Sequence, residues 1–278
     1  YKYGIIEKAD NSKLSVAFGG LHSMDDLLSV FVGFAAEDRY TIAEPIVYHL
    51  KNYGIPVWYD RHKLLLGDNR KDKNLIEGVG KPQYACIIIS ENTKSSICAM
   101  EEFAIIKERF LRNEMIVFPI LYELPPSNVP VELHWVKDII FKEANSRSGT
   151  RDICNHIACK ITENILSTYA LQHVEDVISV KSSLRTSLVA TIICKYLEID
   201  QFNLYGRIAL LYSAFLVMTN SKKLPDNVPL HIATCVYNRL FSETKLNLPI
   251  DYRELWLLEN CICIIANYYL ENDTASKI

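Results

Sequence analysis

Two adjacent carboxylates, Glu101 and Glu102, follow Ser95-Ser96-Ile97-Cys98-Ala99-Met100 at the opening of a helical run. Near a helix N-terminus such a pair has two readings. One is a solvated acid favoured by the helix dipole. The other is a carboxylate that faces developing positive charge in a cleft. Trp58 closes the short apolar run Pro56-Val57-Trp58-Tyr59, where an indole serves equally as packing or as a flat plate for a ligand. Phe34 and Ala35 follow another apolar run, with core and ligand roles both open to Phe34.

Other chemistries lack their parts. Cys154, His156 and Cys159 share one helical stretch, and His231 precedes Cys235 by four. A structural zinc needs four converging ligands, and no CxxC pair is present. Cys261 and Cys263 would point to opposite sides of a helix. No metal is expected. No nucleophile elbow with a paired base is visible. Nothing resembles G-x-G-x-x-G after a strand, so the glycines do not suit NAD as a redox cofactor. Arg70, Lys71, Lys73 and Lys81 read as a solvated face. Gly67-Asp68 reads as a turn, since Gly supplies positive φ and Asp bonds locally.

The elements that must position these residues begin at 27. Leu27 to Val32 is nearly continuous in apolar residues, as in a strand buried on both faces. Ile42, Pro45, Ile46 and His49-Leu50 follow at helical spacing, and Gly54 is a stop signal. Further strands are expected at Pro56–Tyr59, Tyr84–Ile89, Met115–Leu121 and Asp138–Phe141, the last at a sheet edge. Helices are expected around Leu75–Glu77, over Ser96–Arg112 with Met100, Phe103, Ile106 and Phe110 on one face, and over Arg151–Ser167. Strands alternating with helices imply a parallel sheet covered on both faces. Open sheets of this kind bind ligands outside the carboxyl ends of their strands, which brings Trp58, Glu101 and the 33–37 loop to one edge.

After about 170 the pattern becomes helical, at Val174–Glu198, Leu204–Thr219, Val228–Phe241 and Asp251–Leu270, a unit of roughly 100 residues. The domain reading is therefore an unassigned segment over 1–24, an α/β domain over 25–170 and a helical accessory domain over 171–278. The 278 residues carry a net charge of -3 and no basic field, so nucleic-acid binding is not expected. The longest apolar runs, Ile208–Met218 and Cys261–Leu270, are shorter than the ~20 residues of a membrane span. Eight scattered cysteines without a framework suit a reducing, cytoplasmic compartment.

Several motifs in order resemble the Toll/interleukin-1 receptor (TIR) domains of bacteria. They are Val30 to Asp38, Glu44-Pro45 with His49-Leu50 and Gly54-Ile55, Val57-Trp58-Tyr59-Asp60 with Leu64 to Asp68, Ile88-Ile89-Ser90, and the fourth strand with Pro119. The resemblance covers about 140 residues and leaves the C-terminal helices outside. It implies a flavodoxin-like five-stranded parallel sheet ahead of the all-α domain read from the helical pattern, and cleavage of the nicotinamide–ribose bond of NAD+, used as substrate with no cofactor. It implies Glu101 as the catalytic acid, four residues after Ile97, which stands where the family has tryptophan. It further implies Trp58, Phe34 and Ala35 as NAD-binding residues, and Leu65, Gly67 and Asp68 in a subunit-contact loop serving TIR–TIR self-association. An anti-phage or immune signalling role follows from the same resemblance. The helical domain, which lies outside it, is expected to serve oligomerisation or to sense a small-molecule or protein trigger. Two rivals stand beside the enzyme reading, a non-catalytic TIR adaptor and a host-directed effector.

Overall fold

The computed structural model describes residues 28–60, 65–69, 71–180, 187–220 and 227–275. The N-terminal segment 1–24, the start of the first expected strand, and residues 61–64 and 70 of the loop after Trp58 lie outside the described residues. The described residues fall into two compact units, one ending at Ile157 and the other beginning at Ala158.

The first unit is a five-stranded sheet in the order β2-β1-β3-β4-β5, parallel throughout. Its strands are β1 Val30–Gly33, β2 Val57–Trp58, β3 Tyr84–Ile89, β4 Ile116–Tyr122 and β5 Lys142–Ala144. That order is the flavodoxin-like one, with the chain reversing its direction of winding between β1 and β3. β1 and β3 are buried at every residue, which explains their lack of alternation. Pro119 pairs with Ile87 of β3, while β5 begins its pairing only at Ile120. The strand thus has a neighbour on one side alone at the proline, where a missing N–H is tolerated.

The fifth strand corrects the sequence reading. Val131–Asp138 is a 3-10 helix, and the strand follows at Lys142–Ala144 instead of Asp138–Phe141. Ile140 is 96% exposed. Apolar character alone does not set an edge strand; the backbone partners on β4, Ile120 to Tyr122, do.

Two helices flank the site. α1, Glu44–Asn52, has Pro45 in its first turn and ends ahead of Gly54 at φ +70°. α2, Ile97–Leu111, is capped by Ser96, whose hydroxyl accepts from Ala99 N at 3.4 Å. Its inner stripe is Ala99, Glu102, Phe103 and Ile106, spaced i, i+3, i+4, i+7. Of the expected stripe, Phe103 and Ile106 are buried and Met100 and Phe110 pack half-buried against the same core, while Glu102, which was not expected there, joins the inner face. Between β2 and β3 runs a π-helical segment, Lys71–Val79, longer than the short helix expected there.

α3, Arg151–Leu166, contains the boundary between the units. Its first half bonds within the α/β unit, Cys154 Sγ to Ile46 O at 3.7 Å. Its second half bonds within the helical unit, where Asn260 Nδ2 donates to Thr162 Oγ1 at 3.1 Å. That unit continues as α4 Val174–Ser179, α5 Ser187–Glu198, α6 Leu204–Thr219, α7 Val228–Lys245 and α8 Tyr252–Ala275. The stretch read as one helix from 174 to 198 is thus two, with 181–186 outside the described residues. Asn203 and Asn227 cap α6 and α7 by accepting from Gly206 N and Leu230 N, each at 3.0 Å. Stacked pairs, Tyr212–Phe241 at 4.2 Å and Phe215–Tyr237 at 4.3 Å, join those two helices.

Candidate active site

β1, β2 and β3 end side by side, and the residues beyond them build the candidate site. Gly33 closes β1 where α2 crosses it. A Cβ there would lie 2.8 Å from Phe103 Cε1, 3.0 Å from Phe31 Cε1 and 3.6 Å from Glu102 Oε2. The absent side chain lets α2 settle close to the strand end and brings a carboxylate with it.

Trp58 closes β2 and is half-buried. Its indole Nε1 donates to Asn74 Oδ1 at 3.3 Å, and Asn74 Nδ2 in turn donates to Glu102 Oε1. Gly78 underlies the same ring, since a Cβ built there would fall 2.7 Å from Trp58 Cε2 and 2.9 Å from Cδ1. Asn74 is 5% exposed and Glu102 6%. Glu101, one residue earlier on α2, is turned away by the helical rotation and is half-buried. Of the acid pair, Glu102 is the member joined to Trp58 through Asn74. Ile97, first residue of α2, is 75% exposed.

Phe34 is half-buried beside an ionic cluster. The Arg39 guanidinium lies 5.1 Å from its ring centroid and 5.7 Å from that of Tyr59, and the two rings stack at 5.8 Å. Arg39 Nη1 and Nη2 grip Asp60 Oδ1 and Oδ2 at 3.0 and 2.8 Å, and Nη1 also donates to Tyr59 OH at 3.1 Å. The Asp60 bond is the main cause holding the guanidinium above its usual range. Tyr59 OH donates to Glu44 Oε1 at 3.1 Å, and burial pushes its phenol up. Ala35 has no exposed surface.

A second network binds the loops together. Asp38, 2% exposed, accepts from Ser90 Oγ at 2.5 Å and from Asn92 Nδ2 at 2.8 Å. Thr93 Oγ1 accepts from Ser90 N at 2.8 Å. The loop after β1 is thereby tied to the loop after β3, and both stand at the edge that carries Trp58.

Residues 30–151 match the family described as TIR domain. The chain carries a TIR domain. It is 28% identical over 109 residues to the NAD(+) hydrolase TcpC of Escherichia coli O6:H1, covering 39% of this chain and 35% of that protein. It is 26% identical over 99 residues to the 2' cyclic ADP-D-ribose synthase BtTIR of Bacteroides thetaiotaomicron, covering 36% and 34%. A third relative is the 2' cyclic ADP-D-ribose synthase AbTIR of Acinetobacter baumannii, 23% identical over 100 residues, covering 36% and 37%. The chain spans about a third of the length of these relatives.

In the TIR domain the segment 65–68 is a self-contained turn. Asp68 N donates to Leu65 O at 3.1 Å, while Asp68 Oδ2 accepts from Leu65 N at 2.8 Å. Gly67 sits at φ +97°, which only glycine adopts freely. Leu65 is 77% exposed and Leu66 fully so. Asn74 is the residue here that sequence reasoning did not name, while Glu102, Asp38 and Ser90 were named without a role in the site. An asparagine beside Leu75-Ile76 and the doubling of the glutamate were the available signals.

Outside the TIR domain, the helical unit holds a part-buried ionic cluster. Tyr196 OH donates to Glu259 Oε1, Arg207 Nη2 donates to Tyr196 OH at 2.8 Å, and the guanidinium lies 4.5 Å from the Tyr196 ring centroid. Burial pushes the Glu259 carboxyl up, against the pull of Tyr196 and Arg207. Among the described residues no group of three His, Cys, Asp or Glu side chains could hold a metal ion. Among them, too, no helix is long and apolar enough to cross a membrane.

Proposed function

We propose that the TIR domain cleaves the nicotinamide–ribose bond of NAD+. The observation that carries this reading is the array at the sheet's carboxyl edge: an indole plate, Trp58, joined through Asn74 to Glu102 of α2, with Glu101 the residue before it. The names of the relatives, a hydrolase and two cyclic ADP-ribose synthases, support it. Nicotinamide leaves as a neutral group, taking the electron pair of the C–N bond, so no strong general acid is required. What must be stabilised is the ribosyl cation that remains, as in glycoside cleavage. A carboxylate facing it supplies that stabilisation and holds the ribose hydroxyls. Water then attacks to give ADP-ribose and a proton, or a nucleophile within the same molecule closes a cyclic product. Glu101 is the proposed catalytic carboxylate, with Trp58, Phe34 and Ala35 the proposed NAD-binding residues.

The test is NAD+ consumption with product chromatography at high protein concentration, for the wild type and Glu101→Gln. Nicotinamide release by the wild type alone supports the enzyme, with a loss in the variant of about 10²–10³-fold in kcat. Inert protein at every concentration refutes it.

A second reading is favoured by the exposure of Leu65, Leu66 and Ile97. In it the domain works by TIR–TIR assembly, as an adaptor or a host-directed effector, with the 65–68 turn in the contact. The two readings are compatible where assembly completes the site. The helical unit then serves oligomerisation or detection of a trigger, in a cytoplasmic anti-phage or immune signalling role.

A further inference from the structure

Trp58 has a single polar atom, an N–H that can only donate. Its partner must therefore be the amide oxygen of Asn74, and this leaves the amide NH2 to donate. The NH2 meets Glu102 Oε1. The chemistry of its two neighbours thus sets the orientation of the amide. Asn74 also belongs to the same π-helical segment as Gly78, on which the indole is seated. One short segment holds the ring by its face and by its N–H, and π-type turns recur at functional sites.

Packing alone does not explain this arrangement. An apolar residue at 74 would fill the space without burying an amide and a carboxylate, groups that are costly to desolvate. What the polar relay adds is direction. A hydrogen bond to the indole N–H fixes the rotation of the ring, which apolar contacts leave looser.

We propose that Asn74 and Glu102 are positioning residues that hold Trp58 as a fixed plate for the nucleotide, Glu102 acting through Asn74. The proposal rests on the reading of this edge as an NAD+ site. It separates the two acids of α2 by role: Glu101 toward the substrate, Glu102 toward the plate.

The chain has three tryptophans, so tryptophan labelled with nitrogen-15 yields three indole signals, and Trp58→Phe identifies the one from Trp58. Asn74→Leu is expected to move that signal and speed its exchange with solvent. The Trp135 and Trp256 signals should stay in place, which reports that the variant folds. Titration with NAD+ should shift the Trp58 signal in the wild type. In Asn74→Leu the midpoint, and KM with it, should rise about fivefold, the equivalent of one ordinary hydrogen bond. The kcat should hold within about twofold. Glu102→Gln keeps an oxygen that can accept from Asn74 and should leave the Trp58 signal and the midpoint in place, whereas Glu102→Leu should move both as Asn74→Leu does.

Several results would overturn the proposal. Loss of turnover in Glu102→Gln with an unchanged midpoint would make Glu102 the acid that acts on substrate. An unmoved Trp58 signal in Asn74→Leu would remove the relay. A wild-type Trp58 signal indifferent to NAD+ would remove the plate, whether or not NAD+ is consumed. If NAD+ shifts the signal with the expected midpoints but neither protein turns it over, the positioning role stands and the catalytic reading fails.

Discussion

Substituting Gly78 by alanine tests whether the Trp58 ring is wedged. The added Cβ would fall 2.7 Å from Cε2 and 2.9 Å from Cδ1, inside the distance any real methyl tolerates. A free side chain would swing aside cheaply. This one is tied at Nε1 to Asn74, so moving the ring breaks a hydrogen bond and strands a buried amide. Overpacking of a closed site costs about 1–3 kcal/mol. Losing the bond adds about 1 kcal/mol. Replacing a helical glycine returns about 1 kcal/mol. The net expectation is a loss of about 1–3 kcal/mol, and a urea midpoint lowered by roughly 1 M at an ordinary denaturant slope. Unfolding should be followed through the Trp58 indole signal, because two compact units need not unfold together. A variant as stable as the wild type, with the Trp58 signal unmoved, would refute the reasoning, since the methyl would then have found room that the geometry denies.

Two further outcomes are expected in the rest of the molecule. Burial raises the folded-state carboxyl of Glu259 above its ordinary value of 4.5, so its contribution to stability is present below that value and is lost as pH rises through the folded one. Glu259→Gln removes this dependence; its urea midpoint relative to wild type should improve from acid to neutral pH, and a constant difference would count against the burial argument. Among the eight cysteines only Cys98 is exposed, while burial pushes the Cys159 thiol up to about 12 and the Cys86 and Cys263 thiols further still. A thiol reagent should therefore modify Cys98 fastest in the native protein, and Cys98→Ser should abolish the fast phase; rapid loss of Cys159 would contradict its packing.

The strands and most helices were legible in the sequence because their signals are local. A nearly continuous apolar run marked β1 as a strand buried on both faces, β3 and β4 are apolar runs of the same kind, and Ile153, Ile157, Ile161 and Ile165 recur at every fourth residue of α3. Alternation then implied the parallel sheet, and the rule for open sheets brought Trp58, Glu101 and Phe34 to one edge. Two things stayed out of reach. The fifth strand was misplaced because its register depends on β4, a partner distant in sequence. The roles within the acid pair were equally hidden, since neighbouring residues on a helix differ by about 100° in direction. Which of them turns inward depends on how α2 settles against Gly33 and the Lys71–Val79 segment. Residue type and spacing thus determined that carboxylates and an indole meet at the end of the sheet. Only tertiary packing decided that Glu102, through Asn74, is the acid joined to Trp58, because that link spans three segments whose approach no local pattern encodes.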